Sequence, residues 1–388
     1  MTFQGFSGNG AFQFAGNINL RFGTGTAQTL PNELQALGAR KPFVIVDPGV
    51  FDSQVAAPVL KALDAASVAA HVFTEIEANP RDSTIHRAFE VARSSSCDSV
   101  IGLGGGSAMD SAKGVGLLMS NGGRIADYDG INKVTTDLPP VVAIPTTAGT
   151  GSEVTANAAL TRSSDHYKMS LRSPRLLPKL AIIDPLLLRT LPRGVAAASG
   201  LDALTHAIEG YLSVRASPLS DMFALRAMEL LATNIRAFVA NPENLEAASA
   251  MALGSMLAGL VVSNTGTGND HALARALGGL CDVTHGIATG MLLPHVMAFN
   301  ASARPERYVD IARAVGVAVD GGPREVAART VDEIHQLLRD LDLPVRLRDV
   351  GVDKEKVPAL VEVAIKNVGP NPRRTTAKDL EKILLAVY

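Results

Sequence analysis

The sequence is poor in cysteine and in charge, and both deficits exclude classes of protein. Two cysteines, Cys97 and Cys281, occur in 388 residues, too few for the disulfide framework of a small secreted scaffold. Charged residues make up 19% of the chain and hydrophobic residues 47%, whereas about 25% charged residues is usual for soluble chains. The composition therefore excludes intrinsic disorder as the main state and predicts a sizeable buried core.

A surplus of positive charge is also lacking. Thirty-six Lys and Arg residues face 38 Asp and Glu residues, which gives a formal net charge of −2. No broad basic face is available for nucleic acid or for anionic lipid. We therefore expect neither a nucleic-acid partner nor a membrane partner.

Targeting signals are missing from the first residues as well. Residues 1–14 contain no Lys or Arg and no apolar core, so we expect no signal peptide and a cytoplasmic location. Residues 247–269 carry no charge and are long enough to span a bilayer. They are rich in Ala, Gly and Ser and end in polar residues, which predicts a buried helix followed by a polar loop.

Short apolar runs alternate with segments of helical period in the first half of the chain. The runs fall at residues 43–46, 72–73, 100–103, 141–144 and 181–183. Helical segments, such as residues 85–92 and 108–118, lie between several of them. This pattern predicts a parallel sheet covered by helices on both faces.

The pattern changes after about Pro192, where helical periods replace the strand runs. Ser217 and Pro218 are the cap and first residue of one predicted helix, and Thr376 with Asp379 forms a capping box at the last one. The sequence therefore predicts an α/β domain over residues 1–190 and an all-helical domain over residues 191–388.

A glycine-rich segment at residues 104–107 follows the apolar run at 100–103 and opens a helix that carries Asp110. Glycines let backbone N–H groups approach a ligand, and a helix N-terminus favours negative charge, so the segment suits a pyrophosphate. It differs from G-x-G-x-x-G because Ser107 stands at the third glycine position. A tight turn without a ligand is the alternative.

Residues 145–153, with four hydroxyls and two glycines, follow the next apolar run. Ligands of open α/β sheets bind at this edge, so the segment predicts donors for a ribose, amide or phosphate, with a polar turn as the alternative. Asp47 ends the run at 43–46. Its carboxylate can accept from a ribose hydroxyl and would repel a 2′-phosphate, or it caps the turn that follows.

Histidines and one carboxylate in the helical half form a candidate metal site. Asp202 and His206 are four residues apart, and this spacing places both on one helix face. His271 and His285 follow, fourteen residues apart. Three imidazoles and a carboxylate suit Zn²⁺ or Fe²⁺. We interpret His295 as structural.

Taken in chain order, these motifs resemble the iron-containing (group III) alcohol dehydrogenase family. The resemblance extends from about Phe22 to the C-terminus and is strongest at residues 145–153 and 200–209. It implies a nucleotide-binding α/β domain and a helical metal-binding, catalytic domain. It also implies an NAD-dependent, metal-dependent alcohol dehydrogenase or aldehyde reductase, which transfers hydride between a small alcohol or hydroxy acid and nicotinamide, and a homodimer or higher homo-oligomer.

The resemblance also implies which residues bind each cofactor. The metal, Fe²⁺ ahead of Zn²⁺, has four ligands: Asp202, His206, His271 and His285. Asp47 stands where an acidic residue favours NAD(H) over NADP(H). The residues implied to contact NAD are Asp47, Asn79, Gly104, Gly105, Gly106, Ser107, Asp110, Thr146, Thr147, Thr150 and Lys168.

One position departs from the family pattern. Many members carry a histidine four residues after the third ligand, where this chain has Arg275. Arginine cannot shuttle a proton near neutral pH, but it can hold a carboxylate through two hydrogen bonds. The hypothesis is an anionic hydroxy or oxo substrate, as in a maleylacetate-reductase-like enzyme. Alternatively, Arg275 pairs with Asp270 or Asp282, or contacts cofactor phosphate.

Two other classes of function compete with this interpretation. Dehydroquinate-synthase-like lyases share the architecture, but they usually have a Glu in place of the Asp202 and His206 pair. A non-catalytic nucleotide-binding protein would not need all four candidate metal ligands. The sequence therefore favours the oxidoreductase.

Overall fold

The structure is a computed structural model and describes residues 12–16, 18–165 and 167–388. Contacts divide the chain into two compact units. The first unit contains residues 16–191 and 242–252, and the second contains residues 192–241 and 253–388 with residues 12–15.

Strands and helices alternate in the first unit up to residue 121, and five further strands follow among its described residues. Its strands are β1 (Asn19–Phe22), β2 (Pro42–Val46), β3 (His71–Phe73), β4 (Ser99–Gly104), β5 (Gly130–Ile131), β6 (Val141–Pro145), β7 (Asn157–Thr161), β8 (Lys168–Arg172) and β9 (Leu180–Ile183). Its helices are α1 (Leu30–Ala36), α2 (Pro48–Asp52), α3 (Ala57–Ala65), α4 (Asp82–Ser94) and α5 (Gly106–Asn121).

Among the described residues, six strands form one parallel sheet in the order β1-β9-β6-β4-β2-β3. Along β2, β4 and β6, neighbouring residues enter different cores, as the pleat requires. On β2, Phe43 and Ile45 pack into the core that includes α4 and α5. Val44 and Val46 pack into the opposite core with α1 and α3. Burial on both faces explains the uninterrupted apolar runs in the sequence.

A smaller sheet, β5-β8-β7, was not predicted from the sequence. Its strands β7 and β8 pair antiparallel, and buried residues alternate along them with partly exposed ones. The edge strand β1 was also missed, since most of its residues are exposed. A search for fully apolar runs detects buried central strands and overlooks half-buried ones.

The second unit is built from helices in its described part, which confirms the predicted fold class. Ser217 and Thr376 cap helices as predicted, each accepting a hydrogen bond from the backbone N–H three residues later. The helices are α6 (Arg193–Leu212), α7 (Pro218–Ala240), α8 (Leu245–Thr265), α9 (Asn269–Cys281), α10 (His285–Ala301), α11 (Pro305–Val315), α12 (Pro323–Asp340), α13 (Val357–Ile365) and α14 (Ala377–Val387).

Helix α8 covers most of the uncharged stretch and begins in the first unit. Its length and composition would allow it to cross a membrane, and 56% of its most apolar 18-residue stretch is buried within the structure. A polar turn, residues 266–268, follows it. The arrangement agrees with the prediction of a buried helix that leads into a polar loop.

Candidate functional site

Helix α6 supplies two of the predicted metal ligands. Asp202 and His206 lie one helical turn apart, and both side chains are buried. Asp202 Oδ2 is 4.0 Å from His206 Nδ1. Because the helix is buried continuously from Gly200 to Leu212, both polar side chains are held inside the second unit.

Two glycines bring helix α10 close to α6. A Cβ atom at Gly286 would lie 2.4 Å from the carbonyl oxygen of Ala198, and one at Gly290 would lie 2.9 Å from Leu201 Cδ1. A larger residue at Gly286 would collide with the backbone of α6, whereas one at Gly290 would have to displace the Leu201 side chain. This close packing places His285, the first residue of α10, with its Nε2 atom 3.6 Å from Asp202 Oδ1.

Helix α9 supplies the remaining histidine. His271 Nε2 lies 3.6 Å from Asp202 Oδ1, and the ligand atoms of Asp202, His271 and His285 all lie within 4.8 Å of one another. His206 is not in this group of three, but its ring stacks on His271 with centroids 4.5 Å apart. The structure thus gathers the three predicted histidine ligands around the carboxylate of the fourth, Asp202.

The electrostatics of this cluster suit a divalent cation. Burial opposes ionisation of Asp202, but the neighbouring His206, His285 and His271 together outweigh it and hold the pKa of the carboxyl below its usual range. His271 Nε2 is buried and has no hydrogen-bond partner among the described residues. Buried polar atoms rarely lack a partner, and a cation would satisfy this nitrogen. Imidazole and carboxylate donors fit Fe²⁺ or Zn²⁺.

Sequence reasoning missed Glu209, which lies beside the cluster. Its buried carboxylate accepts a hydrogen bond from His271 Nδ1 at 2.7 Å. Its position could have indicated a role, because it lies seven residues after Asp202 and three after His206 on α6, on the same helix face.

In the first unit, the two glycine-containing segments lie side by side. Gly104 of β4 pairs with Pro145 of β6, and the N–H of Thr146 donates to the carbonyl of Gly104 at 3.0 Å. A Cβ atom at Gly106 would lie 2.9 Å from Thr150 Cγ2. Strand pairing therefore brings residues 104–107 next to the threonines of residues 145–153.

Asp110 and Lys113 hold the second of these segments. The Asp110 carboxylate accepts from Ser152 Oγ at 2.6 Å and from the N–H of Ala159 at 2.9 Å. The fully buried Lys113 donates to the carbonyl oxygens of Ser152 and Asn157, both at 2.7 Å. Both side chains thus tie α5 to the chain that follows residue 151, and a contact of Asp110 with NAD stays a prediction.

The structure places the other predicted cofactor residues as follows. Asp47 caps α2 by accepting from the N–H of Gly49 at 2.9 Å. Lys168 Nζ donates to Asn79 Oδ1 at 2.8 Å, so these two residues, far apart in sequence, form a pair. The cap on α2 agrees with the second role that the sequence predicts for Asp47.

Arg275 lies one turn after His271 on α9 and is partly buried. Its Nη2 atom donates to Thr267 Oγ1 at 3.3 Å. Neither carboxylate oxygen of Asp270 has a hydrogen-bond partner among the described residues, so a hydrogen-bonded pair with Arg275 is not formed there. Burial and the neighbouring Glu209 and Asp202 raise the pKa of Asp270 well above its usual value.

Comparison with known proteins gives consistent matches over nearly the whole chain. Residues 17–185 match the family model for iron-containing alcohol dehydrogenase, and residues 196–388 match that for the C-terminal part of the Fe-containing alcohol dehydrogenase family. The 1,3-propanediol dehydrogenase of Citrobacter freundii is 39% identical over 377 residues, covering 96% of this chain and 97% of that protein.

Solved structures agree with the sequence matches. A crystal structure of 1,3-propanediol oxidoreductase superimposes with a TM-score of 0.95 at 36% identity, covering 97% of this chain and 100% of that one. Sulfoacetaldehyde reductase from Bifidobacterium kashiwanohense, solved in complex with NAD⁺, gives a TM-score of 0.87 at 31% identity, with 97% and 98% covered.

The chain belongs to the iron-containing alcohol dehydrogenase family. Its function is that of an NAD-dependent oxidoreductase of alcohols and aldehydes. The matches confirm the predicted family and class of reaction, and they favour oxidoreduction over the lyase and the non-catalytic alternatives.

Proposed function

We propose that the second unit binds a divalent metal through Asp202, His206, His271 and His285, and that this metal is Fe²⁺ in preference to Zn²⁺. The observation that carries the proposal is the convergence of buried Asp202 with His271 and His285 within 4.8 Å. The buried Nε2 atom of His271, which lacks a hydrogen-bond partner among the described residues, supports it. When bound, the metal supplies a Lewis acid for the substrate oxygen.

We further propose that residues 1–190 act as the NAD-binding domain and residues 191–388 as the catalytic domain. Gly104, Gly105, Gly106 and Ser107 take the pyrophosphate at the N-terminus of α5, where backbone N–H groups and the helix dipole favour it. Asp47 selects NAD over NADP by repelling a 2′-phosphate. The other contacts proposed for NAD are Asn79, Asp110, Thr146, Thr147, Thr150 and Lys168.

The proposed setting is a cytoplasmic homodimer or higher homo-oligomer that acts on small alcohols and aldehydes. Cys97 and Cys281 are free thiols in the structure, which is consistent with a reducing compartment. The protein positions substrate and nicotinamide, while the cofactor carries the hydride.

Metal analysis tests the site. After anaerobic loading and gel filtration, we expect about one Fe²⁺ per chain in the wild type. Asp202→Asn and His271→Ala should retain little metal, because the first removes the negative charge of the group of three and the second removes one of its imidazoles. The matched control is His335→Ala, which removes a histidine that packs on His295 instead. Equal metal content in all four proteins would contradict the proposed site.

A second candidate, favoured by the position of Arg275, is an anionic substrate. Arg275 follows His271 by four residues, so the two side chains share a face of α9. A guanidinium there can bind a carboxylate or sulfonate through two hydrogen bonds. The similarity to sulfoacetaldehyde reductase, whose named substrate carries a sulfonate, supports this candidate.

Substitution of Arg275 separates the two substrate classes. For Arg275→Leu, we expect kcat/KM for succinic semialdehyde to fall by about 10- to 100-fold, as for loss of a hydrogen bond to a charged group. With propanal it should hardly change. Arg275→Lys keeps the positive charge, so its kcat/KM for succinic semialdehyde should fall less than that of Arg275→Leu. Unchanged preference for the anionic aldehyde in Arg275→Leu or Arg275→His would exclude this role.

A further inference from the structure

The carboxylate of Glu209 is the common acceptor for three donors from the chain that carries His271. Its Oε2 atom accepts from the N–H of Gly268 at 2.9 Å and from His271 Nδ1 at 2.7 Å. Its Oε1 atom accepts from the N–H of Asp270 at 2.8 Å. The residue is 6% exposed, so water does not compete strongly for these bonds.

These contacts fix both the start of α9 and the state of the His271 ring. Backbone N–H groups in the first turn of a helix lack partners within the helix, and Glu209 provides one from α6. Because two backbone donors already bind the carboxylate, it acts as an acceptor toward the ring. With its proton on Nδ1, the His271 ring donates to Glu209, and its Nε2 atom, 3.6 Å from Asp202 Oδ1, can bind a cation.

We infer that Glu209 is a positioning residue for the metal centre, which sets the orientation and tautomer of His271 before metal binds. The inference rests on the proposed metal site and adds a residue outside its ligand set. Carboxylates that hold metal-binding imidazoles raise the basicity of the ring as well as orient it. Since Glu209 also anchors Gly268 and Asp270, the same side chain couples α6 to the first turn of α9.

Glutamine at this position provides the sharpest test. An amide has one acceptor oxygen, so Glu209→Gln cannot accept from all three donors, and its NH₂ group would face one of them. We expect the dissociation constant for Co²⁺, measured by anaerobic titration of the visible absorption, to rise by about 10- to 100-fold. At saturating Co²⁺ the absorption bands should also shift, because the ring of His271 is no longer held.

The control is Asp221→Asn, which removes the negative charge from a partly buried ion pair with Arg307 in the same unit. It should lower the free energy of unfolding and leave both the Co²⁺ dissociation constant and the spectrum unchanged. A merely structural role for Glu209 would give the same pattern as this control.

Three outcomes decide the matter. A wild-type dissociation constant and spectrum in folded Glu209→Gln would overturn the inference. If that variant does not fold, Glu209→Asp replaces it: its carboxylate is one methylene short of the three donors, so an intermediate dissociation constant supports the inference and an unchanged one refutes it. Failure of the wild type itself to bind Co²⁺ would instead refute the proposed metal site.

Discussion

At the scale of single residues, burial and neighbours decide the charge that each acidic side chain carries. Asp202 and Glu153 are both 2% exposed. Histidines around Asp202 hold the pKa of its carboxyl below the usual range. Burial raises the pKa of Glu153 from 4.5 to about 7, and the nearby Lys113 does not cancel this effect. Asp202 is thus ionised and can bind a cation, whereas Glu153 ionises only at a higher pH than usual.

The raised pKa of Glu153 predicts a pH dependence of stability. Between about pH 4.5 and 7 the folded chain holds this proton and the unfolded chain does not, so the free energy of unfolding falls as pH rises. Below about pH 4.5 Glu153 is protonated in both states and does not change the free energy of unfolding. Above about pH 7 it is ionised in both states, and its burial lowers the free energy of unfolding by about 3 kcal/mol.

Glu153→Gln should remove this dependence. Urea unfolding of the metal-free proteins at pH 4.5 and 7.5 should show the variant gaining about 3 kcal/mol relative to the wild type across the interval. Exposed Glu355→Gln serves as the control and should follow the wild type. If the free energy of unfolding changed equally with pH in Glu153→Gln and in the wild type, burial of Glu153 would not cause this pH dependence.

At the scale of elements, three helices meet because small residues let them approach. Gly286 and Gly290, one turn apart on α10, face Ala198 and Leu201 of α6. Gly210 of α6 similarly faces Val261 of α8, with 2.3 Å between its hypothetical Cβ and Val261 Cγ1. The position of His285, which adjoins Gly286, therefore depends on a close approach to the Ala198 backbone that glycine permits.

Gly286→Ala should disturb the candidate metal site without touching a ligand. Its new methyl group would overlap the backbone of Ala198, which cannot rotate away, and would push the adjacent His285 from Asp202. We expect a loss of about 1–3 kcal/mol in the free energy of unfolding, typical of overpacking, together with weaker Zn²⁺ binding in a calorimetric titration.

The control for this test is Gly279→Ala on α9. Nothing lies within 4 Å of a Cβ atom there, and alanine favours a helix. The free energy of unfolding of Gly279→Ala should therefore equal or exceed that of the wild type, and its Zn²⁺ affinity should be unchanged. A wild-type Zn²⁺ affinity in Gly286→Ala would show that metal binding does not depend on the close approach of α10 to α6.

At the scale of the whole molecule, strands that are buried on both faces can be predicted from the sequence, because they appear as short uninterrupted apolar runs. Five apolar runs mark all but one strand of the parallel sheet, since its central strands are covered on both faces. The smaller sheet and β1 could not be found in this way, because their residues are half-buried or exposed.

The candidate site follows the same rule. Spacing on α6 marks Asp202 and His206, but the roles of Glu209, Asp110 and Lys113 depend on partners far along the chain. The partners of these residues cannot be read from the local sequence, although spacing on α6 does place Glu209 on the same face as Asp202 and His206. The family resemblance supplied the set of four ligands, and the structure supplied the carboxylate that orients one of them.

The most direct test of the account is NADH oxidation by the anaerobically Fe²⁺-loaded protein, assayed with a panel of neutral and anionic aldehydes. We predict turnover by the wild type that is lost on chelation and restored by added metal. Asp202→Asn should be inactive although it still binds NADH. Equal turnover by metal-free wild type, or by Asp202→Asn, would contradict a metal-dependent oxidoreductase built on this site.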